Sequence, residues 1–189
     1  IYISQEGELA DKATGIQMLQ ELANEGSAES IYSLGGCYMN GNGVTQDIDK
    51  GLELYHTASD MGLGAATYAI GAYYVNECQE IEKGIQYCEK AAEQGFALAA
   101  SILEQQYEEG MGVEKDFDKA MFYLKRAAEL GDAQSQLKYG MLLSRTDKHQ
   151  GVEWMIKSAN QKNPAALFIV GQECLNSESH LFADPQHFN

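Results

Sequence analysis

The chain repeats one helical pattern five times, and this periodicity constrains its fold more than any other feature. The copies occupy residues 11–26, 47–62, 80–95, 116–131 and 147–162. In each copy a small residue is followed three positions later by a large apolar residue, and a second small residue comes five positions after that. These spacings place the side chains on one face of an α-helix. A glycine ends four of the five copies, where a left-handed residue commonly terminates a helix.

A second helical pattern lies between these copies. It begins at five positions, Ala28, Gly64, Ala97, Ala133 and Pro164. Three of its copies carry a tyrosine at the same place, Tyr38, Tyr74 and Tyr107. The repeating unit is therefore a helix, a loop, a helix and a tight turn, with 31 to 36 residues between successive copies. Because one unit alone cannot bury its apolar face, neighbouring units must stack.

The register of the repeat also predicts the two ends of the chain. Counting back 36 residues from Tyr38 reaches Tyr2, so residues 1–2 are predicted to end a helix and residues 6–11 to form a loop. We predict one solenoid over residues 1–176 and a tail over 177–189. Its units are approximately 1–26 (partial), 27–62, 63–95, 96–131, 132–162 and 163–176 (partial). The chain is then an excerpt of a longer array, or it ends in atypical caps.

This repeat resembles the Sel1-like repeat, a relative of the tetratricopeptide repeat. Residues 28–62 and 97–131 carry the glycine-rich loop of that family and the aspartate and lysine that follow it. These positions are Gly41, Gly43, Val44, Asp47 and Lys50, and again Gly110, Gly112, Val113, Asp116 and Lys119. The second unit lacks this loop, and Glu104 and Ala120 replace glycines that other units keep. The resemblance implies an all-α fold, a right-handed superhelical α-solenoid of antiparallel helix pairs.

The resemblance also implies which side chains would face a partner. In solenoids of this type the first helix of each pair lines the concave surface, and here that is the helix with the second pattern, such as the one that begins at Ala28; the helix with the first pattern is the second of its pair. The predicted partner-binding residues are Tyr32, Met39, Asn40, Tyr68, Val75, Asn76, Leu137, Phe168, Leu175 and Asn176. Their apolar side chains would form pockets, and their amides could hydrogen-bond a peptide backbone. The alternative is that the apolar column packs against second helices and the asparagines only end their own helices.

No catalytic constellation is evident. The four histidines do not stand in a zinc-protease motif, and no serine or cysteine occupies a nucleophile elbow. The glycines at 41–43 and 110–112 lack the lysine and later glycine of a phosphate-binding loop. Asp47 and Asp116 precede second helices, where a carboxylate is typical of a helix N-cap. We predict no enzyme activity, no cofactor and no metal site.

The charge balance excludes several classes of partner. The chain has 28 acidic and 13 basic residues, a formal net charge of -15. Nucleic-acid binding needs a basic face, and an anionic membrane surface would repel this chain. Its apolar stretches are also far shorter than the roughly 18 residues that would span a bilayer. The charge indicates either a basic protein or peptide partner, or only solubility.

The four cysteines leave the compartment open between cytoplasmic and secreted or periplasmic. None forms a Cys-x-x-Cys motif or stands at zinc-finger spacing. Some secreted members of the resembled family join their helix pairs by disulfides, which makes Cys78 and Cys88 a candidate pair; the alternative is ordinary buried thiols. Cys88 and Cys174 occupy positions that are predicted to lie in the core.

The function that these observations favour is a protein–protein interaction scaffold or adaptor, which binds a partner segment in its concave groove. Two alternatives stay open. One is a secreted or periplasmic repeat protein with cell-wall-related enzymatic or ligand-binding activity. The other is a structural spacer within a longer repeat protein.

Overall fold

The structure, a computed structural model, describes residues 5–175, and this part of the chain consists of ten α-helices without a β-strand. The helices are α1 (Gln5–Asn24), α2 (Ala28–Asn40), α3 (Ile48–Asp60), α4 (Gly64–Asn76), α5 (Ile81–Glu93), α6 (Ala97–Glu109), α7 (Phe117–Glu129), α8 (Ala133–Leu143), α9 (Lys148–Asn160) and α10 (Pro164–Leu175). The two sequence patterns alternate along this order, so the predicted helical class is confirmed.

The chain forms two compact units, Ile1–Phe96 and Ala97–Asn189. In the first unit each of α1 to α4 packs against the helix that follows it, and in the second unit each of α6 to α9 does the same. The two units correspond in sequence, because Ala28 and Ala97 begin equivalent helices 69 residues apart, as do Gly64 and Ala133. Each position in α2 to α4 can therefore be compared with its equivalent in α6 to α8.

Aspartate side chains begin three of the second helices. Asp47 accepts a hydrogen bond from the backbone N–H of Lys50 at 3.0 Å, and Asp116 accepts one from Lys119 at 3.0 Å. Asp147 does the same at the start of α9. Each such cap contributes about 1 kcal/mol to helix stability. The predicted capping role of Asp47 and Asp116 is confirmed.

A residue in the left-handed backbone conformation follows each of the helices α1, α3, α5, α7 and α9. The four predicted glycines, Gly26, Gly62, Gly95 and Gly131, have φ between 88° and 97°. Backbone hydrogen bonds such as Leu63 N–H to the Ala58 carbonyl then close the turn. At the fifth position, where the sequence has no glycine, Lys162 adopts the same region with φ of 62°.

We expect Lys162→Gly to raise the free energy of unfolding by about 1 kcal/mol. The left-handed region costs a residue with a Cβ roughly 1–2 kcal/mol, and the greater freedom of glycine in the unfolded chain cancels part of the gain. Urea denaturation followed by circular dichroism measures the change. The matched control is Gly131→Ala at the equivalent turn, where an added Cβ meets nothing within 4 Å and only the backbone penalty applies. A destabilised Lys162→Gly protein would contradict this account.

Glycines bring the two helices of three pairs into backbone contact. The pairs are Gly35 with Gly51, Gly71 with Gly84, and Gly140 with Gly151. A Cβ at any of these six positions would lie between 2.6 and 3.1 Å from the carbonyl oxygen of the partner glycine. These small residues therefore allow the two helices of each pair to approach closely. In the α6–α7 pair Glu104 and Ala120 stand at these positions.

Of the predictions near the ends of the chain, one is wrong and the others fall outside the described residues. Residues 6–11, predicted as a loop, are helical within α1. This segment lacks the paired glycines of the loops at 41–43 and 110–112, and it contains alanine, leucine and glutamate, which favour a helix. The predicted helix end at residues 1–2 and the tail over 177–189 lie outside the described residues.

No disulfide joins any of the four cysteines, all of which lie among the described residues, so Cys78 and Cys88 are not linked. Cys88 is buried, as predicted, and burial raises the pKa of its thiol to about 12. Cys78 is exposed. The core prediction for Cys174 is wrong because its side chain is exposed. At the equivalent position Tyr107 is covered by the second helix of its pair, whereas no helix follows α10 within the described residues.

Candidate interaction groove

A groove with a volume of about 540 Å³ lies in the first unit between α2 and α4, above α3. We call it the α2–α4 groove. Its lining residues are Tyr32, Met39, Asn40, Gln46, Ile48, Tyr55, Tyr68, Ala69, Ala72, Tyr73, Asn76 and Glu77. Four of them are tyrosines and most of the others are apolar or carry amides, so the lining offers ring faces together with hydrogen-bonding groups.

Five of the ten predicted partner-binding residues line this one groove. They are Tyr32, Met39, Asn40, Tyr68 and Asn76. Tyr32 and Tyr68 are 36 residues apart, as are Asn40 and Asn76. Equal positions on successive first helices face the same side, which is why the repeat register alone could group them.

The other predicted residues lie elsewhere. Val75 packs at the α4–α5 crossing against Gly84. Leu137 is only 4% exposed, within the core of the second unit, and so is not a surface residue. It stands at the Tyr68 position, but leucine is short enough to be covered completely. Phe168 and Leu175 lie on α10 in the second unit, 67% and 85% exposed. Asn176 falls outside the described residues.

Aromatic contacts hold the groove tyrosines in place. The Tyr32 and Tyr55 ring centroids are 5.2 Å apart, and those of Tyr68 and Phe96 are 5.5 Å apart. Gly35 makes room for Tyr55, because a Cβ there would lie 2.7 Å from Cδ1 of that ring. Burial raises the pKa of both Tyr55 and Tyr68, so their hydroxyls stay protonated at neutral pH. Repeat columns on first helices could not identify Tyr55, which lies on a second helix.

The groove amides are partly used by the fold. Asn40 and Asn76 are the last residues of α2 and α4, as the alternative interpretation proposed. Asn40 Nδ2 donates to the Gly36 carbonyl at 2.9 Å, and Gln46 Nε2 donates to the Met39 carbonyl at 2.8 Å. The asparagines therefore end their helices and also line the groove. The amide oxygens of Asn40 and Gln46 are left as acceptors for a ligand.

One end of the groove is acidic. Glu77 is the charged residue among the lining side chains, and no lysine or arginine is among them. Burial, Cys78, Glu77 and Asp49 together raise the pKa of the neighbouring Tyr73 hydroxyl. The two carboxylates therefore act electrostatically at the same end of the groove.

The equivalent positions of the second unit hold an ionic bridge. Glu104, Glu108 and Lys138 correspond to Gly35, Met39 and Ala69 by the 69-residue shift, in that order. Lys138 Nζ donates to Glu104 Oε1 and to Glu108 Oε2, both at 2.6 Å. Glu104 is only 9% exposed, and burial raises its pKa. The hydrogen bond from Lys138 lowers the pKa of Glu108. Charged side chains thus stand where the first unit has Met39 and Ala69, two apolar residues that line its groove.

Within residues 5–175, no three histidine, cysteine, aspartate or glutamate side chains are grouped so that they could hold a metal ion. None of the helices in that range combines the length and apolarity needed to cross a membrane.

The helix pairs, their glycine crossings and their capped turns define an α-solenoid of the tetratricopeptide-related class. The family model named Sel1 repeat matches residues 28–63, 65–96, 97–132 and 133–163, which is more than half of the chain. The chain therefore belongs to the Sel1 repeat family. Proteins of this family generally mediate protein–protein interaction and are typically non-enzymatic.

Individual relatives agree with this assignment. A crystal structure of a Sel1 repeat protein from Oxalobacter formigenes is 25% identical with a TM-score of 0.72, covering 85% of this chain and 49% of that one. The predicted fold class, an all-α solenoid of antiparallel helix pairs, is confirmed.

Two curated relatives have names that state a role. "Chitin synthase regulator SKT5" from Malassezia restricta is 27% identical over 75% of this chain, and "Chitin synthase regulatory factor 3" from Schizosaccharomyces pombe is 24% identical over 90% of it. The chain spans 10% and 20% of the lengths of these two relatives.

Proposed function

We propose that this chain is an interaction scaffold whose α2–α4 groove holds a segment of a partner protein. The observation that carries the proposal is the groove itself, in which the repeat register brings Tyr32, Tyr68, Asn40 and Asn76 together around one volume of about 540 Å³. Tyrosine is enriched among the residues that dominate binding energy at protein interfaces. Membership of an interaction-mediating family supports the same function.

The binding mechanism would rest on a groove that is already formed. Tyr32 packs against Tyr55, and Tyr68 packs against Phe96, so these rings need little further ordering when a partner binds. Their faces would cover an apolar side chain of the partner. The acceptor oxygens of Asn40 and Gln46 would pair with its backbone N–H groups.

A site-specific crosslink tests this proposal. Ile48 lines the edge of the groove and is exposed, and p-benzoylphenylalanine placed there should crosslink to a partner protein in native extract without filling the groove. The same probe at Phe122, an exposed aromatic position on α7 outside the groove, is the control and should not. Tyr68→Ala should lower the crosslink from position 48 at least fivefold, because it removes a ring face worth about 1 kcal/mol or more. Peptide mapping of the adduct identifies the bound segment.

Two results would contradict the proposal. Equal crosslinking from positions 48 and 122 would place the interface outside the groove. A crosslink from position 48 that is insensitive to Tyr68→Ala would mean that the groove tyrosines do not contact the partner. In both cases an unchanged far-ultraviolet circular dichroism spectrum must first show that each variant is folded.

The names of the two fungal relatives favour one partner to test first. We propose a chitin synthase, or a protein that controls one, as a candidate partner of the groove, because both names describe regulation of that enzyme. Co-precipitation of a chitin synthase by this chain, lost on Tyr32→Ala with Tyr68→Ala, would support it. Retention by the variant would place that contact elsewhere.

A further inference from the structure

Building on the proposed function, we propose that the α2–α4 groove selects one chemistry: a peptide segment that places an apolar side chain on the groove tyrosines and a lysine or arginine beside Glu77. We further propose that each chain binds one such segment, in the first unit.

The middle of the groove selects the apolar side chain. Tyr32, Tyr55 and Tyr68 present rings there, while Ala69 and Ala72 are the small side chains that keep the space between α2 and α4 open. A ligand side chain inserted at this point would lose contact with water and gain ring contacts, which favours an aliphatic or aromatic group.

The acidic end selects the cation. Glu77 is exposed and forms no ion pair within the part of the chain that the structure describes, unlike Glu80, which pairs with Lys83 at 3.4 Å. The Tyr73 ring beside it offers a face to a cation, and Asp49 adds a second negative charge nearby. No basic side chain lines the groove to compete, and the net charge of -15 would attract a basic segment from a distance.

The second unit disfavours the same ligand at its equivalent positions. Glu108 and Lys138 stand where the first unit has Met39 and Ala69, and they are joined by a charged hydrogen bond. An apolar side chain placed there would desolvate this ion pair without compensation. The 69-residue shift also puts an arginine at the Asn76 position and a threonine at the Glu77 position, so the carboxylate that would bind the cation has no counterpart at that position and an arginine stands beside it.

The test begins with a random dodecapeptide library displayed on phage and selected against the whole chain. Enriched sequences should combine an aliphatic or aromatic residue with a lysine or arginine at a constant spacing. An enriched peptide with a fluorescent label should bind with one site per chain in a calorimetric titration. In fluorescence anisotropy at low salt, Glu77→Gln should weaken it about tenfold, which is the effect of losing roughly 1.4 kcal/mol.

Matched variants assign the effect to the site. Glu93→Gln removes the same charge from an exposed position on α5 outside the groove, and it should change the affinity less than twofold. Glu77→Lys should abolish binding of the cationic peptide and restore binding of a peptide in which its lysine is replaced by glutamate. Ala72→Trp should block either peptide by filling the groove.

The outcomes separate this inference from the proposed function. Peptides that Ala72→Trp blocks but that lack a cation, or that ignore Glu77→Gln, would overturn the inference and leave the scaffold function standing. Binding that Ala72→Trp does not affect, or a library without enriched sequences, would count against both. A dimer in sedimentation velocity that Ala72→Trp dissociates would show a second copy in the groove and would also overturn the inference.

Discussion

Gly151→Ala should lower the free energy of unfolding by about 2–3 kcal/mol, toward the upper end of what overpacking costs. A Cβ at this position would lie 2.5 Å from the Ser144 backbone nitrogen and 2.6 Å from the Gly140 carbonyl oxygen. Both neighbours are backbone atoms, so no side chain can rotate away to make room. Helices α8 and α9 would have to separate, which would loosen the core that contains Leu137 and Met155. Urea denaturation gives the difference directly.

Gly171→Ala is the matched control for this prediction. Gly171 lies inside α10, and an added Cβ would meet nothing within 4 Å. The same chemical change should therefore raise stability by up to about 1 kcal/mol, the difference in helix propensity between alanine and glycine. If Gly151→Ala were as stable as Gly171→Ala, the contact between α8 and α9 would not depend on the missing side chain.

Lys138→Met should lower the free energy of unfolding by about 2 kcal/mol at pH 7. The change leaves Glu104, which is largely buried, beside Glu108 with no cation to hold either charge. Removing one partner of a fully buried pair costs roughly 3–5 kcal/mol. Water screens part of this pair, because the Lys138 side chain is 40% exposed, so we expect a smaller loss.

The loss caused by Lys138→Met should shrink as the pH falls from 7 to 4. The hydrogen bond from Lys138 partly opposes the rise that burial causes in the pKa of Glu104, so removing the lysine raises that pKa further. At pH values below the pKa of Glu104 its carboxyl is protonated and uncharged, so the absence of the lysine costs less stability. In the wild type, the raised pKa of Glu104 stabilises the folded protein at pH values below the pKa that this carboxyl has in the unfolded chain, and this contribution is lost as the pH rises through its pKa in the folded protein. The lowered pKa of Glu108 stabilises the folded protein at pH values above the pKa of that carboxyl in the unfolded chain, and this contribution is lost as the pH falls. The two contributions therefore change with pH in opposite directions.

Lys125→Met is the control for the ionic bridge. Lys125 pairs with Glu129 at 3.8 Å on the exposed face of α7. An exposed pair of this kind contributes less than about 0.5 kcal/mol, with little dependence on pH between 5 and 7. Two results would contradict this account: an equal loss of unfolding free energy for Lys125→Met and Lys138→Met, or a loss for Lys138→Met that does not change with pH. Either would show that Lys138 does not stabilise the buried charge of Glu104.

Local features of this chain could be predicted because their causes lie within a few residues of each other. An aspartate that caps α3 bonds to an N–H three residues later, and a glycine that ends a helix needs only its own backbone freedom. The groove column of Tyr32 and Tyr68 could be predicted for a related reason, since a repeat of constant length returns the same position to the same face. Residues 6–11 depart from this rule, because this segment has a single glycine in place of the Gly-x-Gly of residues 41–43 and 110–112 and continues helix α1.

Residues whose role depends on a neighbour from another helix could not be placed in this way. Tyr55 enters the groove because Gly35 on a different helix leaves room for its ring, and Glu77 lies at the acidic end because α4 extends to that edge. Cys174 shares a repeat position with Tyr107 but is exposed, since no helix follows α10 among the described residues. By itself the sequence determined the helices, their caps and the repeat family, because these follow from period and local hydrogen bonding. Only the tertiary structure decided that an apolar groove lies in the first unit and an ionic bridge in the second, because Lys138 meets Glu104 and Glu108 across 34 and 30 residues of chain.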